Sequence, residues 1–180
     1  MVSKLENPPH DMFDVVIIGG AMIGSSVAWF LSHNDNFDGR ILVVERDPTY
    51  EKSSTAHTNS CMRQQFSSEL NIRISQFAAD FVREFRDYMG GDPAVPDLHV
   101  HHFGYMYLAD NDTFASRLKQ SQAIQAACGA GTRLMSPGEI SAAYPFYQLD
   151  DIVLGSHNIV DEGYFDGATM FDWWRCKARQ

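Results

Sequence analysis

The sequence predicts an α/β fold built on a parallel strand–helix–strand unit near its N-terminus, and three observations predict it. Residues 13–18 form a short apolar run rich in Val and Ile, stopped by Gly19 and Gly20. Residues 22–32 then change period, with Ile23, Val27, Phe30 and Leu31 spaced to share one helical face. Ile41-Leu42-Val43-Val44 is a second apolar run, ending at Glu45. Short β-branched runs without alternation are the signature of strands buried on both faces. Strand, glycine turn, helix and strand in so little chain make a right-handed crossover, with the two strands parallel.

The later elements follow from period and punctuation. Residues 47–63 are polar, irregular and rich in Ser and Thr. Residues 67–89 read as one long amphipathic helix, with Ile74, Phe77, Ala78, Phe81, Phe85 and Tyr88 on its apolar face and Gly90-Gly91 as its stop. Two prolines in residues 92–97 mark a linker into a different architecture. Residues 99–108 alternate like a strand, which sets the rings of His101 and His102 on opposite faces. A helix over residues 113–128 ends at Gly129 and Gly131. Another begins at Ser136, with Pro137 at its first position and Glu139 closing a capping box. Residues 152–154 and 158–160 suggest two short strands, and residues 166–178 a closing helix with Met170, Trp173, Trp174 and Cys176. Two convincing parallel strands are too few to bury a sheet on both faces. The chain therefore reads as unfinished at its C-terminus, with Ile17, Val44, Phe77, Phe81 and Phe85 short of cover.

Composition narrows the function. At 44% hydrophobic and 21% charged residues, the chain has the make-up of an ordinary globular protein. Its formal charge of −9 repels phosphate backbones and anionic lipid, so no nucleic-acid partner is expected. No apolar run is long enough to span a bilayer. The charged leader with Pro8-Pro9 lacks the apolar segment of a secretory signal. Cys61, Cys128 and Cys176 are odd in number, far apart and without a CxxC pair. They read as free thiols in a reducing compartment, which implies a cytoplasmic protein without a structural metal site.

The chemistry concentrates at Gly19-Gly20-Ala21-Met22-Ile23-Gly24. Against G-x-G-x-x-G the first and third glycines are present, and Ala21 stands at the middle one. Gly19 makes the tight turn, position 21 lets backbone N–H groups approach a pyrophosphate, and Gly24 lets helix and strand pack closely. A methyl at Ala21 is the smallest departure available, acceptable where φ is negative. The pyrophosphate would then sit at the helix N-terminus, facing free N–H groups and the positive end of the dipole. Glu45 stands about twenty residues past Gly24, at the end of the second strand, where an acid accepts hydrogen bonds from a ribose 2′-hydroxyl. An acid there disfavours a 2′-phosphate and hence NADP. FAD and NAD both remain open on this physics.

The neighbouring segments carry a resemblance. "DVVIIGGAMIGSSVAWFL", "VVERDPTYEKSSTA" and "RQQFSSELNIRISQFA" resemble the D-amino-acid-oxidase-like superfamily of FAD enzymes, and within it the FAD-dependent oxidoreductase domain proteins related to sarcosine oxidase and dimethylglycine dehydrogenase. "HHFGYMYLA", "LMSPGEI" and "DEGYFDGATMFDWW" continue the likeness more loosely. The resemblance implies a Rossmann-like FAD-binding domain interrupted by a mixed-sheet substrate domain, incomplete in this chain, with the flavin at their junction. Residues 1–90 would be the first part of the FAD-binding domain, residues 91–160 the start of the substrate domain, and residues 161–180 a helix returning to the first. Gly19, Gly20, Gly24, Glu45 and Arg46 would hold the ADP half of FAD. Ala21, Met22 and Ile23 belong to the same turn, and Ser53, Ser54 and Thr55 would line the path from pyrophosphate to flavin. The implied reaction moves a hydride equivalent from the α-C–H of a small amine or amino acid to flavin N5, leaving an imine that hydrolyses. A non-catalytic FAD-binding or assembly module and an NAD-dependent dehydrogenase are the alternatives.

Two further residues are candidates near the flavin. Arg63 is the cation best placed for a substrate carboxylate, or else it ties its loop to a neighbouring acceptor. His57, in Ser54-Thr55-Ala56-His57-Thr58, is similar to the histidine that certain dehydrogenases of this group join to the flavin 8α-methyl. Non-covalent contact with the flavin and simple loop packing are its other readings. Phe103, Tyr105, Tyr107 and Trp173-Trp174 suggest an aromatic cage for a methylated amine, but strand alternation and helix packing account for them without a ligand.

Overall fold

A computed structural model describes Pro8 and residues 10–178 of the chain. Strand β1 (Val15–Ile18), helix α1 (Met22–Ser32) and strand β2 (Ile41–Val44) form the crossover, with the strands parallel and Val15 opposite Ile41. A short strand β3 (Cys61–Met62), which no apolar run announces, follows the Ser/Thr-rich loop. The long helix is broken into α2 (Glu69–Arg83) and α3 (Phe85–Tyr88), because Glu84 leaves helical geometry at φ −101° and ψ 17°. Strand β4 (Tyr105–Ala109) is shorter than the alternation predicts. Gly104 ends it on the N-terminal side at φ +80°, so close to Asn158 that a Cβ would stand 2.4 Å from its carbonyl oxygen. His101 instead makes an isolated bridge to Tyr164.

Helix α4 (Asp112–Ala127), strand β5 (Arg133–Met135) and helix α5 (Pro137–Ala143) come next. The two short strands expected around residues 152–160 are one strand, β6 (Leu154–Asn158). Its Ser156 and His157 look like an interruption in the sequence, yet both are buried. Strand β6 lies in the middle of an antiparallel sheet of order β4-β6-β5, so both of its edges are paired. Strand β7 (Gly163–Tyr164) pairs with β3, and helix α6 (Gly167–Lys177) closes the described chain.

The chain divides into two compact units, one running to Thr58 and resuming at Gly167, the other Asn59–Asp166. By packing, the break comes at Thr58 and not at the linker near residue 91. The reason is that α2 belongs to the second unit: Ile72 is fully buried against Cys128 and Ala130, with Phe66 beside it. In the first unit α6 packs on α1, where Trp174 meets Trp29 and Phe30 edge-on at centroid separations of 6.3 and 5.9 Å. In the second, Phe81 and Phe85 are buried and stack edge-on, while Ile74 and Phe77 of the same helix are exposed. The buried ridge of α2 runs through Ile72, Ala79, Phe81 and Val82. Of the residues expected to lack cover, Val44 and Phe77 are exposed, and Phe81 and Phe85 are not. Val16 and Ile18 join Val44 as exposed apolar side chains on the strand pair. Among the described residues, no helix is long and apolar enough to cross a membrane.

The capping box of α5 is present as the sequence reads it. The Ser136 hydroxyl accepts from the Glu139 N–H at 3.3 Å, and the Glu139 carboxylate accepts from the Ser136 N–H at 2.7 Å. Ser136→Ala should cost about 1 kcal/mol, lowering Tm by about 2–4 °C in a chain of this size. A circular-dichroism melt that shows no shift would mean that the cap contributes nothing.

Candidate functional site

In the first unit the glycine turn is built by steric necessity. Gly19 leaves β1 at φ +96°, in the region that favours glycine, while its N–H donates to the Val44 carbonyl at 2.8 Å. Gly24 lies against that turn so closely that a Cβ would stand 1.7 Å from the Gly19 oxygen. Ala21 takes φ −71° and ψ −164°, which explains why a methyl is accepted at the middle glycine position. It is the N-cap of α1, with no side-chain cap and no acid in the first turn. The first-turn N–H groups have no carbonyl partner within the helix. That of Met22 donates to the Thr55 hydroxyl at 3.2 Å, and those of Ile23 and Gly24 point the same way along the axis. Such a helix end receives phosphate.

Glu45 ties the turn to the end of β2. Its Oε2 accepts from the Gly20 N–H and its Oε1 from the Asp47 N–H, both at 2.8 Å. The bond from Asp47, and after it the bond from Gly20, holds the carboxyl below its usual value. A carboxylate that accepts one N–H on each oxygen still has lone pairs for ribose hydroxyls. Tyr50, a residue that no sequence pattern marks, is buried at φ +58°. Its hydroxyl lies where a side chain on Gly20 would meet it at 3.0 Å, so Gly20 too must stay small. The Tyr50 ring meets Phe171 edge-on at 5.1 Å, and the Arg175 guanidinium lies 5.1 Å over it. Gly20, Ala28, Val43, Glu45, Tyr50 and Arg175 line a cleft of about 330 Å³. These residues fit the ADP half of a dinucleotide: a cradle that only glycine allows, a free helix end and an ionised acid.

The other predicted residues are less concentrated. The structure brings Gly19, Gly20, Ala21, Met22, Gly24, Glu45 and Thr55 together. Ser53 serves its own loop, accepting from the Ala56 N–H at 3.2 Å. Arg46, Ser54 and His57 are exposed, and the His57 N–H donates to the Ser54 carbonyl at 3.2 Å.

Arg63 belongs to the second unit and directly follows β3. Its guanidinium lies 4.7 Å from the Phe66 ring centre and 6.0 Å from that of Tyr105. Nε is buried without a hydrogen-bond partner, and among the described residues the guanidinium makes no ion pair. The cation is packed but not neutralised. Burial, and then a hydrogen bond with the Cys61 side chain, pushes the Tyr105 phenol up to about 12, so the ring beside Arg63 stays uncharged. Sequence reasoning missed Glu162, which is fully buried nearby in the chain fold. Its Oε1 accepts from the Gln64 N–H at 2.7 Å and from Asn158 at 3.0 Å, and its Oε2 accepts from the Gln65 amide at 3.0 Å. Only its place beside Asp161 and Gly163, both at positive φ, sets it apart, and neither is visible as a pattern.

Residues 14–180 match the family described as FAD dependent oxidoreductase. FAD-dependent oxidoreductase domain-containing protein 1 of Xenopus laevis is 34% identical over 174 residues, which cover 94% of this chain and 34% of that protein. The Bos taurus protein of the same name is 36% identical over 162 residues, 88% of this chain and 33% of the relative. The chain thus spans about a third of the length of these relatives. Among solved structures, L-proline dehydrogenase from P. horikoshii superposes with a TM-score of 0.72 at 23% identity, over 92% of this chain and 41% of that one. Glycine oxidase from Bacillus cereus gives 0.66 at 17% identity, over 93% and 44%. These two establish the fold. Between FAD and NAD, which the motif leaves open, the family decides for FAD.

Gly24→Ala should abolish FAD retention, since its Cβ has no room, whereas Ala21→Gly should leave affinity unchanged or improved. Flavin absorbance of the purified variants reads this out, and a fully loaded Gly24→Ala protein would displace the phosphate from the helix end. Glu45→Ala should weaken FAD by about 1.5–3 kcal/mol. Because the Glu45 pKa is lowered from 4.5, the stability it contributes is present above that pH and lost as pH falls through the folded value. The Tm difference between the parent protein and Glu45→Gln should be constant at neutral pH and vanish in acid. A difference that grew in acid would reverse the assignment.

Proposed function

We propose that this chain, which belongs to the FAD-dependent oxidoreductase family, serves oxidation of the C–N bond of a small amine that bears a carboxylate, such as an amino acid. The observation that carries this reading is Arg63. A guanidinium packed on the Phe66 and Tyr105 rings, with a buried Nε and, among the described residues, no ion-pair partner, is set to receive an anion. Its partial burial strengthens the attraction.

The chain's residues divide by role. Gly20, the first-turn N–H groups of α1 and Thr55 take the pyrophosphate, with Ser53 and Ser54 on the same loop toward the flavin. Glu45 takes the ribose, and Arg46 follows it. In this division by role, residues 1–90 and 161–180 serve the cofactor, and residues 91–160 begin the part that shapes the substrate site. The bound flavin supplies the acceptor for a hydride equivalent. Arg63 fixes the substrate carboxylate, and with it the direction of the adjacent α-C–H bond. Loss of hydride from that carbon leaves an imine, which water hydrolyses to a carbonyl compound and an amine. The L-proline dehydrogenase and glycine oxidase that share the fold act, as their names say, on L-proline and glycine, in keeping with a carboxylate-bearing amine.

The test uses the full-length flavoprotein. Anaerobic addition of an amino acid should bleach the flavin absorbance. Arg63→Ala should raise the half-saturating concentration of carboxylate-bearing amines by about tenfold or more, the usual loss of a charge-assisted pair. Amines without a carboxylate should be unaffected. An equal effect on both classes would remove Arg63 from the carboxylate site, and no bleaching by any amine would overturn the reading.

A further inference from the structure

We infer that Glu162 is a positioning residue that sets Arg63 for its anion by clamping the backbone on both sides of it. The inference rests on the reading of Arg63 as an anion-binding cation. On one side, Met62 pairs with Gly163, the residue after Glu162. On the other, the Gln64 N–H donates to Glu162 Oε1 at 2.7 Å. The next residue, Gln65, donates to Glu162 Oε2 and to the Tyr105 carbonyl, both at 3.0 Å, and accepts from the Ser156 hydroxyl at 2.8 Å. The same network therefore fixes the backbone next to Arg63 and at Tyr105, against whose ring Arg63 lies.

The charges show why this is more than packing. Glu162 is fully buried, and among the described residues it has no cationic partner. Three neutral N–H donors, from Gln64, Gln65 and Asn158, satisfy its two oxygens. Arg63 is close in the chain to these donors, yet no ion pair forms between them. Had the acid paired with the arginine, the two charges would cancel and the site would attract nothing. Burying a carboxylate is costly even when it is hydrogen-bonded, and apolar side chains of similar size would fill the space at lower cost. The flanking backbone is unusual too: Asp161 takes the left-handed region at φ +54°, and Gly163 lies where no side chain fits, 1.9 Å separating a Cβ there from the His101 oxygen. What the arrangement gains is a rigid frame around an unpaired cation, the support that a binding group needs to hold its geometry.

The experiment follows the Arg63 side-chain Nε–Hε signal by ¹⁵N NMR in the full chain, with acetate as the probe. In the parent protein the signal should carry a ring-current shift from Phe66 and Tyr105 and should move on acetate addition. Glu162→Gln presents an amide N–H to at least one of the three donors. It should collapse the ring-current shift and weaken acetate by at least fivefold, approaching the loss in Arg63→Ala. A Glu162→Gln protein with a lower Tm but an unchanged Arg63 signal and acetate affinity would make Glu162 merely structural and overturn the inference. Gln65→Met, a milder cut in the same network, gives the same readout if Glu162→Gln does not fold: a displaced Arg63 signal supports the clamp and an undisturbed one overturns it. Acetate that failed to bind the parent protein would instead sink the carboxylate reading of Arg63, while the ring-current shift in the variants would still decide the role of Glu162.

Discussion

The approach of Gly24 to the Gly19 carbonyl is the contact on which the first unit depends. With no side chain at position 24, α1 starts directly above the end of β1, and its N-terminus projects past the sheet. That placement leaves the first-turn N–H groups without carbonyl partners in the helix, that of Met22 donating to Thr55, and brings the turn within reach of Glu45, whose carboxylate bridges Gly20 and Asp47. The same closeness makes the Ser25 hydroxyl fold back onto the Gly20 carbonyl at 2.6 Å, so that a polar side chain in the helix is satisfied without leaving its face. A side chain at position 24 would collide with the Gly19 carbonyl and force helix and strand apart. Ala21 is tolerated for the complementary reason: its backbone is extended, at a negative φ that any side chain accepts.

Interactions local in the chain were legible from the sequence. The two strands, α1, the glycine turn, Glu45 and the capping box at Ser136 each depend on residues within a few positions, or within one crossover, and their patterns are read directly. The break at Glu84 was not legible, because Phe81, Phe85 and Tyr88 keep helical spacing on both sides of it. Strand β6 is not legible as one element, because Ser156 and His157 look like a loop between two shorter strands, although the strand runs on through them to Asn158. Their polarity is explained by buried partners: Ser156 and Asn158 serve the Gln65 and Glu162 network, and His157 contacts the Tyr144 hydroxyl at 3.2 Å. Gln65 is remote in sequence, and the nearby Glu162 gives no sign that it is buried.

The site residues divide along the same line. Gly19, Gly24 and Glu45 are readable because each is tied to a local geometry. Arg46, Ser54 and His57 rest on likeness of sequence, and their side chains are exposed. Arg63 was identifiable as a cation in a suggestive segment, but its missing counter-ion, which gives it meaning, emerges only when Phe66, Tyr105 and Glu162 are in place around it. Tyr50 and Arg175, which wall the cleft beside Gly20, come from opposite ends of the chain and carry no motif.

The pairing of β3 with β7 has a consequence for the order of assembly. Gln64 and Glu162 are 98 positions apart, and Cys61 finds Tyr164 across a similar span. Closing so long a loop carries an entropic penalty before any contact rewards it, and non-local pairings of this kind slow folding. The crossover at β1 and β2, the hydrogen-bonded turns of α4 and the capped start of α5 all close over shorter distances. The pairing that holds the segment carrying Arg63 is therefore of the slow, non-local kind. The cleft beside Gly20 bears the same penalty, since Tyr50 and Arg175, which wall it, stand still farther apart in the chain.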